Sequence, residues 1–155
     1  MIDQDAIPSF RRFGQEHFSE YVSWFRDPLL NEALGPEPDS EWLEHVLNDQ
    51  SGIQYAIILN DSLAGVLGVA LATPQSPFHV ITDIAIHPSL RKSGLGRTIV
   101  QTVSNDILSD SDWKAYVIQD NQNAKRFFES LGWQLSDPAP PKNEMFEFTF
   151  FRKTV

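Results

Sequence analysis

The sequence predicts an α/β protein built on a central mixed β-sheet of six to seven strands flanked by helices. Three observations lead there. Segments with apolar residues at helical spacing alternate with short β-branched segments, the pattern of strands connected through helices. Two of the strand-like segments are separated only by Asn60-Asp61. That is a hairpin signal, and one hairpin among parallel connections makes a sheet mixed. Finally, the β-branched stretch at 80–86 runs through a glycine-bearing loop directly into a helical pattern.

Taken in order, residues 7–13 (IPSFRRF) read as a first strand, with Arg11 and Arg12 solvated or ion-paired. Residues 15–26 form an amphipathic helix, with Phe18, Val22 and Phe25 on one face and Tyr21 and Trp24 beside them. Asp27-Pro28 interrupts it, a helical turn follows at 29–34, and Gly35-Pro36-Glu37-Pro38 is a loop. Asp39 is the expected cap of the next helix, whose apolar face is Trp42, Leu43, Val46 and Leu47; Ser51-Gly52 closes it. His45, beside that face, reads as a packing or surface residue. Residues 53–60 and 62–73 are the two hairpin strands, and Gly65 and Gly68 inside the second suggest a bulge or a close backbone approach. After the loop at 73–77 comes the strand at 80–86, ended by His87-Pro88 because proline cannot donate to a ladder. Ile99, Val100, Val103 and Ile107 then mark a helix beginning after Gly96. A strand at 113–118, a helix closing on Gly132, a rigid loop Asp137-Pro138-Ala139-Pro140-Pro141 and a strand at 145–151 complete the chain.

Composition narrows the function. A chain of 155 residues suits one domain, 1–155, and buries enough surface to need no covalent staples. It has no cysteine, so disulfides, thiolate metal sites and a cysteine nucleophile are excluded. His17, His45, His79 and His87 are scattered, and no metal cluster is expected. The first residues, MIDQDAIPSF, lack the basic and apolar parts of a signal peptide, and the apolar run at 64–72 is too short to span a membrane. The expectation is a soluble, cytoplasmic protein with no membrane partner. The net charge is −9, and residues 1–61, with twelve acids and three bases, carry all of it. That acidity argues against nucleic acid as a partner.

The loop Arg91-Lys92-Ser93-Gly94-Leu95-Gly96 is the strongest functional signal. The first N–H groups of a helix have no intrahelical partner, its dipole favours an anion there, and glycine lets the backbone turn and approach closely. Arg91, Lys92 and Arg97 bring positive charge to the same place. No G-x-x-x-x-G-K-[ST] loop or Rossmann glycine spacing is present.

R-x-x-G-x-G after a strand ending in IAIHP resembles the acetyl-CoA pyrophosphate loop of the GCN5-related N-acetyltransferase (GNAT) superfamily. A second match follows at Asn123, Ala124, Leu131, Gly132 and Trp133. The resemblance is strong over residues 80–133. It implies a GNAT-like sheet, splayed at its centre, with acetyl-CoA or coenzyme A as co-substrate, no metal, and transfer of an acetyl group to a primary amine. Backbone groups of Ile84, Ala85 and Ile86 would hold the pantetheine arm; Arg91, Lys92, Ser93, Gly94, Leu95, Gly96 and Arg97 would hold the pyrophosphate; Asn123 and Phe128 match cofactor positions. A homodimer is compatible with the family.

The amine must lose a proton before it attacks. Asp83 is the first candidate base, His79 the second, and Thr82 is kept as a residue that could position water. Strand alternation puts Ile81, Asp83 and Ala85 on one face and Thr82, Ile84 and Ile86 on the other. Many family members carry a tyrosine acid where this chain has Phe128, so the thiolate leaves unaided, through water, or with Tyr116 as donor. Asp27, Glu32, Glu37, Asp39, Glu41 and Glu44 precede these motifs and suit a cationic acceptor, either a small molecule or a basic peptide. The alternative reading is a non-catalytic acyl-CoA-binding regulatory module.

Overall fold

A computed structural model describes residues 7–136 and 144–152. Seven strands, β1 (Ser9–Arg12), β2 (Gly52–Leu59), β3 (Ser62–Ala70), β4 (Phe78–Ile86), β5 (Asp112–Val117), β6 (Gln134–Leu135) and β7 (Phe146–Phe150), form one mixed sheet in the order β1-β2-β3-β4-β5-β7-β6, flanked by helices. The pairs β1–β2, β5–β7 and β6–β7 are antiparallel, and β4–β5 is parallel. The chain divides into two compact units. The first comprises residues up to Val69 together with Asp83–Ile99; the second comprises Ala70–Thr82 and the residues from Val100 on.

In the first unit, β1 (Ser9–Arg12) leads through Gly14 into α1 (Gln15–Ser23), which tightens to a 3-10 turn at Trp24–Arg26. Asp27 then caps α2 (Pro28–Leu34), its carboxylate accepting from the Leu30 N–H at 3.0 Å. Proline suits the first helical position because the missing N–H would be unpaired there anyway. Asp39 caps α3 (Ser40–Asn48) as its sequence position implies, accepting from Trp42 N–H at 2.9 Å. The helix ends at Asn48, earlier than Ser51-Gly52, and Gly52 instead opens β2 (Gly52–Leu59). Between β2 and β3 (Ser62–Ala70), Asn60 and Asp61 take φ of 53° and 65°. Both are left-handed, as the tight hairpin turn matching strand twist requires. A Cβ on Gly65 would sit 3.0 Å from Ile99 Cδ1. The close approach anticipated for that glycine is therefore the helix packed over it.

The core of this unit is aromatic. Tyr21 lies 5.5 Å from Trp24, 5.2 Å from Phe25 and 5.5 Å from Trp42, ring centre to ring centre. Phe13, Ala56, Val66 and Ala85 join the same buried cluster. The contacts with Trp24 and Phe25 are edge-to-face, a geometry that adds to area burial, so the helices are held by ring geometry as well as by apolar area.

β4 (Phe78–Ile86) contributes to both units, and its ladder with β5 (Asp112–Val117) pairs residues 78–81 with 112–115. α4 (Leu95–Thr102) begins one residue before Gly96, so Gly94, not Gly96, makes the turn. The expected helix through Ile107 widens into a π-helical turn over Val103–Ile107. There Leu108 N–H reaches Val103 O, and the Ser104 hydroxyl donates back to Val100 O at 2.7 Å. A serine bonding four residues back loosens the regular ladder, which is where such widening occurs.

The second unit centres on fully buried Trp113 and Phe148, on β5 and β7 (Phe146–Phe150). Asn121 caps α5 (Gln122–Ser130), accepting from Ala124 N–H. At its far end Trp133 N–H bonds Phe128 O and Gly132 N–H bonds Glu129 O, with Gly132 at φ 84°. The Trp133 and Phe128 rings meet at 5.0 Å across this terminator. It is a Schellman motif with its hydrophobic contact. The two-residue β6 (Gln134–Leu135) pairs with β7 and has no signal of its own in the sequence. The loop at 137–141 lies outside the described residues.

Gly132→Ala isolates the cost of the left-handed turn, since nothing lies within 4 Å of an added Cβ. The expected loss is about 1 kcal/mol, read from urea unfolding.

Candidate active site

β4 delivers Asp83 and residues 84–86 and ends there, with His87 the next residue. The His87 N–H bonds Ala64 O at 2.9 Å, and His87 Nδ1 accepts from Ser89 N–H at 3.0 Å. With Nδ1 accepting, the ring proton sits on Nε2, which lies 3.6 Å from Glu20 Oε1. That same oxygen accepts from the Trp24 indole at 3.1 Å. Strand end and α1 are tied through one carboxylate.

The loop that follows is strung between two buried leucines, Leu90 and Leu95. Lys92 has φ 61° and Gly94 φ 87°. The Ser93 hydroxyl donates to Leu90 O at 2.6 Å and accepts from Leu95 N–H at 3.3 Å. The first bond of α4 closes from Thr98 N–H to Gly94 O. Left-handed residues between ordinary ones turn successive N–H groups toward one concave side, a shape that takes anions. Lys92, Ser93, Gly94 and Arg97 are exposed, and nothing lies within 4 Å of where a Gly94 Cβ would be. The residues present therefore fit a pyrophosphate.

Arg91 is engaged elsewhere. Its Nη1 donates to Asp27 Oδ1 at 3.0 Å and its Nη2 to Asp27 Oδ2, a two-pronged pair across 64 residues of sequence. The guanidinium's hydrogen bonds hold the Asp27 carboxyl below the usual carboxylate range, and Arg91 is correspondingly pushed up. Sequence reasoning did not find this pair; Asp27 reads there as a helix break and as one of the acids suited to a cationic acceptor.

Asp83 lies on the β4 face that carries Ala85, toward the aromatic cluster. Its Oδ2 accepts from Gln54 Nε2 at 2.8 Å. Burial pushes the Tyr21 hydroxyl well above its ordinary pKa, and the charge on Asp83 adds to that. Gln54 is a second residue without a sequence signal, because its partner stands on a different strand. Thr82 is exposed.

The remaining candidates fall in the second unit. His79 is buried and both ring nitrogens are committed: Nδ1 accepts from Ala72 N–H at 2.9 Å, and Nε2 donates to Asp110 Oδ1 at 2.8 Å. The hydrogen bond from His79 holds Asp110 below the usual carboxylate range. The Tyr116 hydroxyl donates to Glu147 Oε1 at 3.0 Å, where Lys114 Nζ also binds. Partial burial raises the Tyr116 pKa, and the bond to Glu147 raises it further. Burial opposes ionisation of Glu147, but bonds from Ser136, Lys114 and Tyr116 outweigh it and hold that group low. Asn123 is exposed in the first turn of α5, whose cap is Asn121. Phe128 is buried, its ring against Trp133 and Phe148.

Of the six acids that the sequence suggests for a cationic acceptor, Asp27 pairs with Arg91 and Asp39 caps α3, while Glu32, Glu37, Glu41 and Glu44 are exposed. A cavity of about 410 Å³ opens beside α1 and the β2–β3 turn, where Glu16, Glu20 and Asp61 stand with Arg11 and His17. Among the described residues, no helix is long and apolar enough to cross a membrane, and no group of three or more His, Asp or Glu side chains is placed to hold a metal.

A family model described as Acetyltransferase (GNAT) family matches residues 15–133. Among solved structures, an acetyltransferase from Thermus thermophilus is similar with a TM-score of 0.77 at 17% identity, covering 92% of this chain and 95% of that one. The aminoglycoside acetyltransferase AAC(6')-Ib with coenzyme A has a TM-score of 0.78 at 17% identity, covering 94% and 95%. A spermidine N-acetyltransferase chimera from Vibrio cholerae SpeG and hSSAT has a TM-score of 0.70 at 15% identity, covering 93% of each. No curated protein matches the sequence.

Asp27 ionises at lower pH in the folded chain than in the unfolded one. Its charge therefore adds stability above the unfolded carboxyl pKa of about 3.9, and that contribution is lost as pH falls through the folded value. Asp27→Asn is expected to be less stable than the parent at about pH 7, with the gap closing by about pH 2. Urea midpoints at the two pH values measure it.

Proposed function

Because this chain belongs to the GNAT acetyltransferase family, we propose that it transfers an acetyl group from acetyl-CoA to a primary amine, preferably one on a cationic small molecule or basic peptide. The observation that carries the proposal is the exposed loop with left-handed Lys92 and Gly94, opening onto the N-terminus of α4. A pyrophosphate there takes the backbone N–H groups of Lys92, Ser93, Gly94, Gly96 and Arg97, while the Leu95 N–H is held by the Ser93 hydroxyl. The pantetheine arm takes backbone groups of Ile84, Ala85 and Ile86. The β4–β5 ladder pairs only residues 78–81 of the nine in β4, which supports that assignment. We read both units as one acetyltransferase domain, since the family match includes residues of each.

Asp83 is the base of this reading. Its carboxylate is oriented by Gln54 and stands on the side of β4 that faces α1. It removes a proton from the acceptor ammonium; the free amine adds to the thioester carbonyl; the C–S bond then breaks, coenzyme A leaves as thiolate, and the second proton shed by the nitrogen passes through solvent to that thiolate, so that the neutral amide remains. His79 has neither nitrogen available for this work and serves as a clamp between the 72 and 110 loops. Phe128 has no proton to give, and the Tyr116 proton is held by Glu147. A thiol pKa of about 8.5 makes its anion an adequate leaving group without a side-chain acid. Exposed Glu32, Glu37, Glu41 and Glu44 favour a cationic acceptor. Two of the similar structures are named for aminoglycoside and spermidine, both amine-rich molecules, which supports that class.

Calorimetric titration with CoA and acetyl-CoA tests the cofactor. Dissociation constants on the order of micromolar are expected for the parent chain. Gly94→Trp and Gly96→Trp should weaken binding more than about tenfold, because a bulky side chain enters the space the phosphates need. No binding by the parent would remove the reading.

In a thiol-release assay, cationic amines should react faster than neutral ones, and Asp83→Asn should lower turnover at least about tenfold. Equal turnover of parent and variant across pH would take the base role from Asp83. CoA binding without turnover of any amine would favour the regulatory-module reading.

A further inference from the structure

We propose that Asp27 is a positioning residue for the phosphate-binding loop, acting through Arg91, and that Arg91 itself does not bind phosphate. The inference rests on the acetyl-CoA reading above. Both terminal nitrogens of Arg91 donate to the Asp27 carboxylate, so its paired fork is turned to that group. For the guanidinium to grip a phosphate with this same fork, it would have to abandon that carboxylate and leave it unpaired beside the incoming anion. The fork geometry of arginine and carboxylate makes the existing pair the better match.

Arg91 also stands where positioning matters. Buried Leu90 precedes it, and Lys92, the first left-handed residue of the loop, follows it. Fixing the Arg91 side chain fixes the point from which the chain enters that strained conformation. The other end of the tie is equally rigid. Asp27 caps α2 through Leu30 N–H, and the Asn31 N–H bonds the Asp27 carbonyl. Asp27 thus has two tasks in one carboxylate, capping α2 and anchoring the loop. Preorganising the loop lowers the ordering cost of binding. The positive charge that attracts the anion is left to Lys92 and Arg97.

The proposal predicts an effect opposite in sign to simple electrostatics. Removing a carboxylate near an anion site ordinarily strengthens anion binding; here it should weaken it. Asp27→Ser keeps a capping side chain for α2 but cannot reach the guanidinium. Arg91→Lys keeps the charge but lacks the fork. Each is expected to weaken CoA binding about tenfold by calorimetry, and the double variant no more than either alone, because both remove one interaction. Pantetheine, which lacks the pyrophosphate, should bind all variants and the parent alike in NMR titration; a general loss of structure would weaken it too. Asp27→Asn, which keeps the cap and part of the fork, should lie between parent and Asp27→Ser, and stands in if the serine variant does not fold.

CoA binding by Asp27→Ser as tight as the parent's, or tighter, would overturn the proposal. So would a double variant whose loss is the product of the two single losses, or equal losses for CoA and pantetheine. If the parent chain binds no CoA, the acetyl-CoA reading itself fails and this inference with it.

Discussion

Between Ile86, the last residue of β4, and Leu95, the first of α4, the chain must leave the sheet, reverse and present a helix start. Only a backbone that turns left-handed at Lys92 and again at Gly94 does this here. Glycine takes that conformation freely; lysine does so at a cost, and its neighbours must hold it. The buried leucines at 90 and 95, the Ser93 hydroxyl and the Arg91–Asp27 pair are those neighbours. The same geometry that solves the chain reversal leaves Lys92, Ser93 and Gly94 exposed, and left-handed residues in such a turn favour a concave row of N–H groups. Shape for an anion is thus a consequence of how β4 is joined to α4.

The acidic N-terminal region has a more internal role than its net charge suggests. Asp27 and Asp39 are helix caps, Glu20 bonds Trp24 and stands near His87, and Asp27 also holds Arg91. Carboxylates are well suited to helix starts because unpaired N–H groups and the helix dipole favour negative charge there. Of the six acids that the sequence suggested for a cationic acceptor, Asp27 and Asp39 have these internal tasks, and Glu32, Glu37, Glu41 and Glu44 are exposed.

In the second unit aromatic packing decides what two candidate residues can do. Phe128 lies against Trp133 and Phe148, and stitches the end of α5 onto β7. His79 is held against Trp113 with both nitrogens bonded, so its environment has made a structural group of a residue whose chemistry would suit a base. Neither fate is visible from residue type.

Local rules carried the sequence far. Asn60-Asp61 marked the hairpin, Asp39 its helix start, Gly132 its helix end, and the glycines after IAIHP the helix-opening loop, because each acts through its own φ or through a backbone group two or three residues away. The order of seven strands, the two-residue β6, the widening of the helix from Val103 onward, and the bonds Asp27–Arg91 and Gln54–Asp83 were decided only by the tertiary structure. The last two join residues 64 and 29 positions apart, and β6 is set by its pairing with β7. A local motif has its partner built into the spacing, whereas these contacts exist only once distant segments have been brought together by burial of the apolar core.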